Sequence, residues 1–256
     1  MLLTSTKNPV VQSAKALLTA KGRREQDAFL CDGEHMTGEA LRACPEKVSA
    51  LFVEDGQQER FAPLLALARQ TECAVYEVSA AVLETISQVK TPQGIAAVCG
   101  LPKPCPLERQ GQKLLLMENV QDPGNVGTIL RTLDAFDFDG LLLLEGCADP
   151  WSVKTVRSSM GAVFRRPVWC LKAAQLPGLL TRSSLPLYGT ALRQDTEDVR
   201  AVPLDRCAIV IGSEGQGISD AVLALCQKTV KIPMSQRCES LNAAIAATVL
   251  LWESYR

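Results

Sequence analysis

The sequence contains no apolar run that approaches the roughly 20 residues of a membrane-spanning helix. Its first nine residues also lack the apolar core of a secretory signal peptide. With 47% hydrophobic and 21% charged residues, the composition is typical of a globular protein. These features predict a cytoplasmic protein without a membrane partner. A chain of 256 residues suffices for one large or two modest domains.

Histidine is almost absent, since His35 is the only one in the chain. This scarcity leaves little room for a Ser-His-Asp or Cys-His mechanism. The ten cysteines are scattered from Cys31 to Cys238 and include no C-x-x-C pair. Structural zinc requires clustered Cys and His ligands, so no metal site is expected. Scattered cysteines in a cytosolic chain are usually small buried apolar residues.

Net charge is also low, at −1, which is unusual for a protein that binds nucleic acid. The basic residues are nevertheless uneven, because they cluster near the N-terminus and again in the middle of the chain. These clusters comprise Lys7, Lys15, Lys21, Arg23 and Arg24, and then Lys154, Arg157, Arg165 and Arg166. Local basic patches can bind phosphate in a protein of neutral total charge. Solvated helix faces are the alternative interpretation.

Three prolines at alternate positions, Pro102, Pro104 and Pro106, mark the clearest break in the chain. This spacing cannot join a helix or a central strand and favours an extended spacer. The sequence therefore predicts an N-terminal domain over residues 1–100, a linker over 101–112 and a second domain over 113–256.

Before this break, helical and strand-like patterns alternate. One helix is expected over Asn8–Lys21, with Gly22 as its stop. The other predicted elements are strands at Ala28–Cys31, Val48–Val53, Ala74–Val78 and Ile95–Cys99, and helices at Met36–Leu41, at Phe61–Arg69 and after a Ser79 N-cap. This order predicts a compact α/β/α unit.

The second half alternates more strongly. Leu114–Met117 and Leu141–Leu144 are continuous apolar runs, as in parallel strands buried on both faces. Strands are expected at Lys113–Met117, Gly140–Leu144, Pro186–Gly189, Cys207–Ile211 and Val230–Ile232, and helices at Val126–Phe136, Trp151–Ser158, Leu176–Ser183, Asp220–Cys226 and Asn242–Tyr255. The predicted class is an α/β fold with a parallel sheet flanked by helices.

A glycine turn follows one of these strands, with Gly212, Gly215 and Gly217 in the spacing G-x-x-G-x-G. This spacing is neither the dinucleotide fingerprint nor the P-loop, which also needs a lysine. The turn therefore favours backbone contact with a small ligand at a sheet edge, and argues against NAD or ATP. For the glycines alone, an ordinary strand-to-helix turn is an equally good interpretation.

Two further segments accompany the turn. The first, Lys113–Asp134, contains Asp122-Pro123-Gly124-Asn125, and the second runs from Arg157 to Val168 and contains Ser159-Met160-Gly161. Together with Ala208–Asn242 they resemble, in order and spacing, the three motifs of the SpoU family of RNA ribose 2′-O-methyltransferases. The resemblance extends from about Leu114 to Trp252.

The resemblance also implies a particular fold, a cofactor, a substrate and an oligomeric state, none of which the residues alone predict. It implies a SPOUT fold with a C-terminal trefoil knot, preceded by an RNA substrate-binding domain similar to ribosomal protein L30e. It implies S-adenosyl-L-methionine as the cofactor, no metal, and RNA as the substrate, ribosomal RNA in preference to tRNA. It also implies a homodimer in which each active site is completed by the partner subunit.

By resemblance, the catalytic residues are Arg131, Asn125, Glu214, Ser240 and Asn242. Arg131 is expected to contact the ribose and its phosphate. Because a guanidinium stays protonated in almost any setting, we favour orientation and charge stabilisation over a general-base role. Asn125 could instead cap a helix that begins near Val126. Ser240 is expected as the N-cap of the last helix, with Asn242 in its first turn.

The resemblance also implies a set of cofactor-binding residues, and the backbones of Gly212, Ile232 and Leu241 match its clearest positions. The full set is Thr190, Ala191, Gly212, Glu214, Gly217, Ile232, Met234 and Leu241. Two alternatives are weighed against this function. An RNA-binding module without activity would be expected to lack Arg131, Glu214 or Asn242, and a nucleotide-dependent oxidoreductase would be expected to carry the dinucleotide fingerprint.

Overall fold

The computed structural model describes residues 2–89, 91–103, 106–107, 113–193, 195–235, 237 and 240–256. The chain forms two compact units, one of Met1–Lys103 with Asp149–Arg165, and one of Pro104–Ala148 with Arg166–Arg256. The predicted linker at 101–112 lies mostly outside the described residues. The domain boundaries therefore stay a prediction.

The helices are α1 (Pro9–Ala16), α2 (Ala20–Gln26), α3 (Glu34–Ala43), α4 (Ala62–Ala68), α5 (Ala80–Ile86), α6 (Pro123–Ala135), α7 (Val153–Ser158), α8 (Ala162–Arg165), α9 (Leu176–Ser183), α10 (Asp220–Leu223) and α11 (Ala243–Tyr255). The strands are β1 (Leu2–Leu3), β2 (Ala28–Asp32), β3 (Val48–Glu54), β4 (Ala74–Val78), β5 (Ile95–Gly100), β6 (Lys113–Met117), β7 (Gly140–Leu144), β8 (Val168–Leu171), β9 (Leu187–Thr190), β10 (Glu197–Asp198), β11 (Cys207–Ile211) and β12 (Lys228–Lys231). Short 3₁₀ helices occur at Pro45–Lys47, Ala173–Gln175 and Val199–Ala201.

The first unit is built on a five-stranded mixed sheet in the order β1-β4-β3-β5-β2. β4 pairs in parallel with β1 and β3, whereas β5 is antiparallel to β3 and β2. Apolar residues of α1 and α5 cover one part of this sheet and form a core with Phe52 and Ala96. Helices packed on the sheet agree with the α/β/α unit predicted from the sequence.

The first unit also includes a segment that lies far along the chain, Asp149–Arg165. Arg23, only 5% exposed, donates through Nε (3.0 Å) and Nη2 (2.6 Å) to Asp149 Oδ2, and through Nη1 to the Leu17 carbonyl at 2.8 Å. Val153 packs into the cluster that holds Leu17 and Leu30. An ion pair with a buried arginine and a partly exposed aspartate, together with apolar packing, thus attaches α7 to the N-terminal residues.

The second unit contains a seven-stranded sheet in the order β10-β12-β9-β11-β6-β7-β8. Every pairing within it is parallel. The central strands are buried on both faces, and Leu114, Leu115, Leu116 and Met117 are all 0% exposed. The continuous apolar runs therefore predicted the centre of this sheet correctly.

The N-terminal helix prediction is wrong in one respect. Residues 8–21 do not form one helix, because the chain turns after Ala16 and Thr19 caps a second helix by accepting from the Gly22 amide at 3.0 Å. Gly22 lies inside α2 and does not stop a helix. A Cβ at Gly22 would lie 2.0 Å from the Ala16 carbonyl oxygen, so the glycine permits the close approach of α1 and α2.

Four short elements lie outside the predicted set: β1, β8, β10 and α8. β1 and β10 have two residues each, and α8 has four. β8 is an edge strand with only its first two residues buried. Such short or one-sided segments carry too little periodicity to be recognised in a single sequence.

The cysteines of the described residues are free thiols, and Cys31, Cys99 and Cys207 are buried. Burial raises the pKa of Cys44 and of Cys207 to about 12, which keeps these thiols protonated. Within the described ranges, no group of His, Cys, Asp and Glu side chains is arranged to hold a metal ion. None of the helices described has the length and apolar composition needed to cross a membrane.

We predict that Asp149→Asn destabilises the first unit by about 3 kcal/mol, because it leaves the Arg23 guanidinium buried without its counter-charge. The matched control is Glu25→Gln, which breaks the exposed Lys21–Glu25 pair at 3.7 Å and should cost at most about 0.5 kcal/mol. Urea unfolding of each variant, followed by circular dichroism, gives both values. Equal losses in the two variants would contradict the role of the Arg23–Asp149 pair.

Candidate active site

The candidate site lies at the carboxyl edge of the parallel sheet. β6, β9, β11 and β12 all run in the same direction, so the loops that follow them meet at one edge. Ligands of open α/β sheets bind at this edge. The segments that follow β6, β11 and β12 contain the motif residues singled out in the sequence.

The glycine turn after β11 is closed on itself. The Gly217 amide donates to the Ser213 carbonyl at 2.9 Å, and Gly217 has a positive φ of 67°. A Cβ at Gly212 would lie 2.1 Å from the Gly217 carbonyl carbon and 2.5 Å from the Ile218 nitrogen. Gly212 is therefore required by the turn's own backbone. Around Gly215, by contrast, nothing lies within 4 Å of an added Cβ.

A buried carboxylate anchors the end of this turn. Glu118, 7% exposed, accepts from the Ser219 amide at 2.8 Å and from the Ser219 hydroxyl at 2.7 Å. Ser219 also caps α10. The sequence analysis missed Glu118, although a glutamate that directly follows an apolar strand was a usable signal. Its two hydrogen bonds connect the end of β6 to the turn.

Three of the expected catalytic residues form one hydrogen-bonded cluster. Asn125 Nδ2 donates to Glu214 Oε1 at 2.8 Å, and Asn242 Nδ2 lies 3.2 Å from both Glu214 Oε1 and Asn125 Oδ1. The Ala243 amide donates to the same Glu214 oxygen at 3.2 Å. Residues from α6, the glycine turn and the start of α11 therefore meet at a single carboxylate oxygen, and we call this group the Glu214 cluster.

The structure corrects two capping predictions. α6 begins at Pro123 with Asp122 as its N-cap, so Asn125 lies within the first turn and does not cap the helix. α11 is capped by Asn242, whose Oδ1 accepts from the Ala244 amide at 3.0 Å, and Ser240 precedes the cap. Both asparagines present amide groups to Glu214 as a result.

A cavity of about 380 Å³ lies beside the Glu214 cluster. All eight residues expected to bind the cofactor line it: Thr190, Ala191, Gly212, Glu214, Gly217, Ile232, Met234 and Leu241. Ser240 also lines it. Its walls combine apolar side chains with the backbone of the glycine turn, as is usual for small-molecule sites.

Arg131 lies apart from this arrangement. Its side chain is exposed on α6 and makes no hydrogen bond or ion pair within the described part of the chain. Since a helix turns by roughly 100° per residue, Arg131 projects about 120° around the axis from Asn125 and about 9 Å further along it. A single chain does not bring Arg131 into the Glu214 cluster.

Comparisons with known proteins agree with this architecture. Residues 112–252 match the SpoU rRNA Methylase family, and residues 8–97 match the MRM3-like substrate binding domain. The 23S rRNA (guanosine(2553)-2′-O)-methyltransferase RlmP of Bacillus subtilis is 34% identical over 252 residues, which cover 98% of this chain and 97% of RlmP.

Solved structures show the same fold. An AdoMet-bound rRNA methyltransferase from Sinorhizobium meliloti has a TM-score of 0.87 at 28% identity, with 99% of this chain and 97% of that chain covered. The SpoU methyltransferase AviRb from Streptomyces viridochromogenes, in complex with AdoMet, has a TM-score of 0.87 at 29% identity, with 98% of each chain covered.

The parallel sheet, the cavity at its carboxyl edge and these matches define an RNA methyltransferase of the SPOUT fold class. The chain belongs to the SpoU rRNA methylase family, whose model spans more than half of its length. The fold class and the family expected from the motifs are confirmed.

We predict that Gly212→Ala opens the glycine turn, because the new Cβ would overlap the Gly217 backbone. The expected cost is about 1–3 kcal/mol, the usual range for overpacking. The control is Gly215→Ala, where the added methyl meets no protein atom and stability should not change measurably. Thermal and urea unfolding distinguish the two variants. A fully stable Gly212→Ala protein would disprove the closed geometry of the turn.

Proposed function

We propose that this chain transfers a methyl group from S-adenosyl-L-methionine to a ribose 2′-hydroxyl of RNA, and that the RNA is ribosomal. The observation that carries the proposal is the Glu214 cluster beside the cavity, since it unites residues of the segments that follow β6, β11 and β12. The name of RlmP, which specifies the 2′-O position of a 23S rRNA guanosine, supports both the reaction and the RNA class. An rRNA substrate is compatible with the cytoplasmic location expected from the sequence.

The cavity suits the cofactor chemically. S-adenosyl-L-methionine supplies a methyl group on a positively charged sulfonium that is ready to be displaced. Ile232, Met234 and Leu241 offer an apolar wall for a purine ring, and the backbone of the glycine turn offers hydrogen-bonding groups for its edge. The Glu214 carboxylate lines the same cavity and would offset a positive charge there.

The residues of the Glu214 cluster would position the acceptor. Glu214 Oε1 accepts three of the four hydrogen bonds of the cluster, whereas Oε2 accepts none from the residues that the structure describes. We assign Oε2 as the acceptor for the ribose hydroxyl, which it would orient and whose proton it would take as the hydroxyl oxygen bonds to the methyl carbon and the carbon–sulfur bond breaks. Because Asn125 and Asn242 hold the carboxylate in place, the alignment costs little further entropy.

Arg131 requires a second subunit under this proposal. Its guanidinium can bind a phosphate through bidentate hydrogen bonds, but it lies away from the Glu214 cluster of its own chain. We propose that it stabilises and orients the RNA in the site of the partner subunit.

α11 supplies a surface for such a dimer. Ile245, Val249 and Trp252, at successive helical turns, are 55%, 36% and 50% exposed. The Trp252 and Tyr255 rings pack against Phe136 at the end of α6, at centroid distances of 5.6 and 5.7 Å. An apolar stripe of this kind, next to the helix that carries Arg131, supports a homodimer formed through α6 and α11.

The proposed reaction predicts a specific product. Purified protein, labelled S-adenosyl-L-methionine and ribosomal RNA lacking the modification should yield 2′-O-methylnucleosides in a nuclease digest. Arg131→Lys should slow single-turnover transfer at least roughly a hundredfold, since it keeps the charge but loses the planar fork. Cofactor affinity measured by calorimetry should hardly change.

The control for this measurement is Arg69→Lys, the same change at an exposed position of the first unit. A base-methylated product would refute ribose methylation. Near wild-type transfer by Arg131→Lys would refute the role of Arg131.

The dimer predicts a mass near twice 27.7 kDa in light scattering at micromolar concentration. Ile245→Glu places a charge in the stripe and should produce monomers that bind the cofactor but transfer methyl groups poorly. Val75→Glu, at a 45% exposed apolar position of the first unit, is the matched control and should stay dimeric. A monomeric wild-type protein, or an Ile245→Glu monomer with full activity, would contradict a shared active site.

A further inference from the structure

A second cavity lies wholly within the first unit. Its volume is about 580 Å³, within the range of small-molecule sites, and it is bounded by the end of β2, by α3, by Gln88, Val89 and Gln93, and by α7. Its lining includes Asp32, Met36, Val153, Lys154, Arg157 and Ser158. The proposed methyl transfer uses none of them.

Asp32 lines this cavity and has a hydrogen-bond acceptor without a partner among the described residues. The residue is 7% exposed, and its Oδ2 accepts from the Ser87 hydroxyl at 2.6 Å. Its Oδ1 is buried and has no partner among the described residues. Burial raises the pKa of the Asp32 carboxyl, against the opposing effects of the Ser87 hydrogen bond and the Arg157 charge. An acceptor left in this state favours a ligand that brings an N–H or O–H donor.

The remaining surfaces of the cavity differ in character. Met36 and Val153, each 3% exposed, form apolar walls. Lys154 and Arg157 are exposed at the mouth, three residues apart on α7 and therefore on the same face of the helix. The cavity thus combines a carboxylate inside, apolar walls and cations outside.

This combination excludes several ligands. A free anion would be repelled by Asp32, and a hard metal cation would need several oxygen ligands where the cavity offers one carboxylate beside an arginine. An acidic peptide would match the mouth but not the interior. A nucleotide matches both, since its base carries N–H donors on a flat apolar ring and its phosphate carries negative charge.

We propose that this cavity receives one unpaired, amino-bearing nucleobase of the substrate RNA, with Asp32 accepting from the amino group and with Lys154 and Arg157 holding the adjacent phosphates. The inference rests on the proposed function, because it deepens the description of the RNA substrate. Uracil is disfavoured: it has no amino group, and two carbonyl groups flank its ring N–H and would face the carboxylate.

The test measures RNA binding by the full-length protein. Labelled single-stranded RNA hexamers of uridine carry adenine, cytosine, guanine, uracil or an abasic ribose at the fourth position, and fluorescence anisotropy gives each Kd. At least one amino-bearing base should bind about tenfold more tightly than the abasic hexamer, the scale of one good base contact. The uracil hexamer should stay within about twofold of the abasic one.

Three variants locate the effect. Asp32→Asn removes the carboxylate, and Ser158→Trp fills the cavity without a change in charge, so each should abolish the base preference. Arg157→Gln should weaken all hexamers alike and reduce the slope of log K against log salt by about 0.7, as for one lost phosphate contact on a single strand. Arg69→Gln, an exposed arginine of the same unit away from the cavity, should leave the preference and the slope unchanged.

Thermal unfolding and calorimetry with S-adenosyl-L-methionine establish that each variant is folded. A base preference that persists in folded Asp32→Asn and Ser158→Trp proteins would overturn the proposal, as would a wild-type protein without any preference. Equal competition by free nucleoside monophosphates would assign the cavity to free nucleotides and would also overturn it. Failure of methyl transfer in the wild type, with the preference intact, would refute the proposed function and not this site.

Discussion

The candidate active site depends on one carboxylate oxygen, Glu214 Oε1. It accepts hydrogen bonds from Asn125, Asn242 and the Ala243 amide, and so joins segments that are more than a hundred residues apart in sequence. The glutamate itself is carried on a turn that closes only because Gly212 has no side chain. Any change that opens this turn therefore separates all three partners at once, and the cavity beside them loses one wall.

The parallel sheet explains why these residues can meet. Because its strands run in one direction, the loops that follow them lie at a single edge of the sheet. Residues at the carboxyl ends of β6, β9, β11 and β12 therefore lie close together in space although they are far apart in sequence. Two glutamates then hold the glycine turn in different ways. Glu118, buried, fastens its end through Ser219, whereas Glu214, exposed, extends from it toward the two asparagines. The first fixes the turn to the end of β6, and the second leaves Oε2 without a partner among the described residues, as its proposed role toward the ribose requires.

The centre of the sheet was predicted well from the sequence. β6, β7 and β11 are buried on both faces, and strands of this kind consist of unbroken runs of apolar residues. The sequence-based predictions were wrong where the structure of a segment depends on a contact with residues outside that segment. Gly22 resembles a helix stop, but its role is to admit the Ala16 carbonyl. Ser240 and Asn242 are equally good N-caps by residue type, and the choice of Asn242 accompanies its tertiary bond to Glu214. All eight residues that the resemblance assigns to cofactor binding line the cavity, whereas Glu118 was not identified because it belongs to none of the groups assigned by resemblance.

The segment Asp149–Arg165 belongs to the first unit although it is flanked in sequence by residues of the second unit. This segment lies inside the stretch matched by the methylase family model, yet the Arg23–Asp149 ion pair and the packing of Val153 fix it to the N-terminal unit. Arg157 and Lys154 are therefore held by the same unit as Asp32, while the residues that line the cofactor cavity all belong to the other unit. Because the linings of the two cavities share no residue, the base preference that we propose for the first unit can be altered by substitutions that leave the lining of the other cavity unchanged.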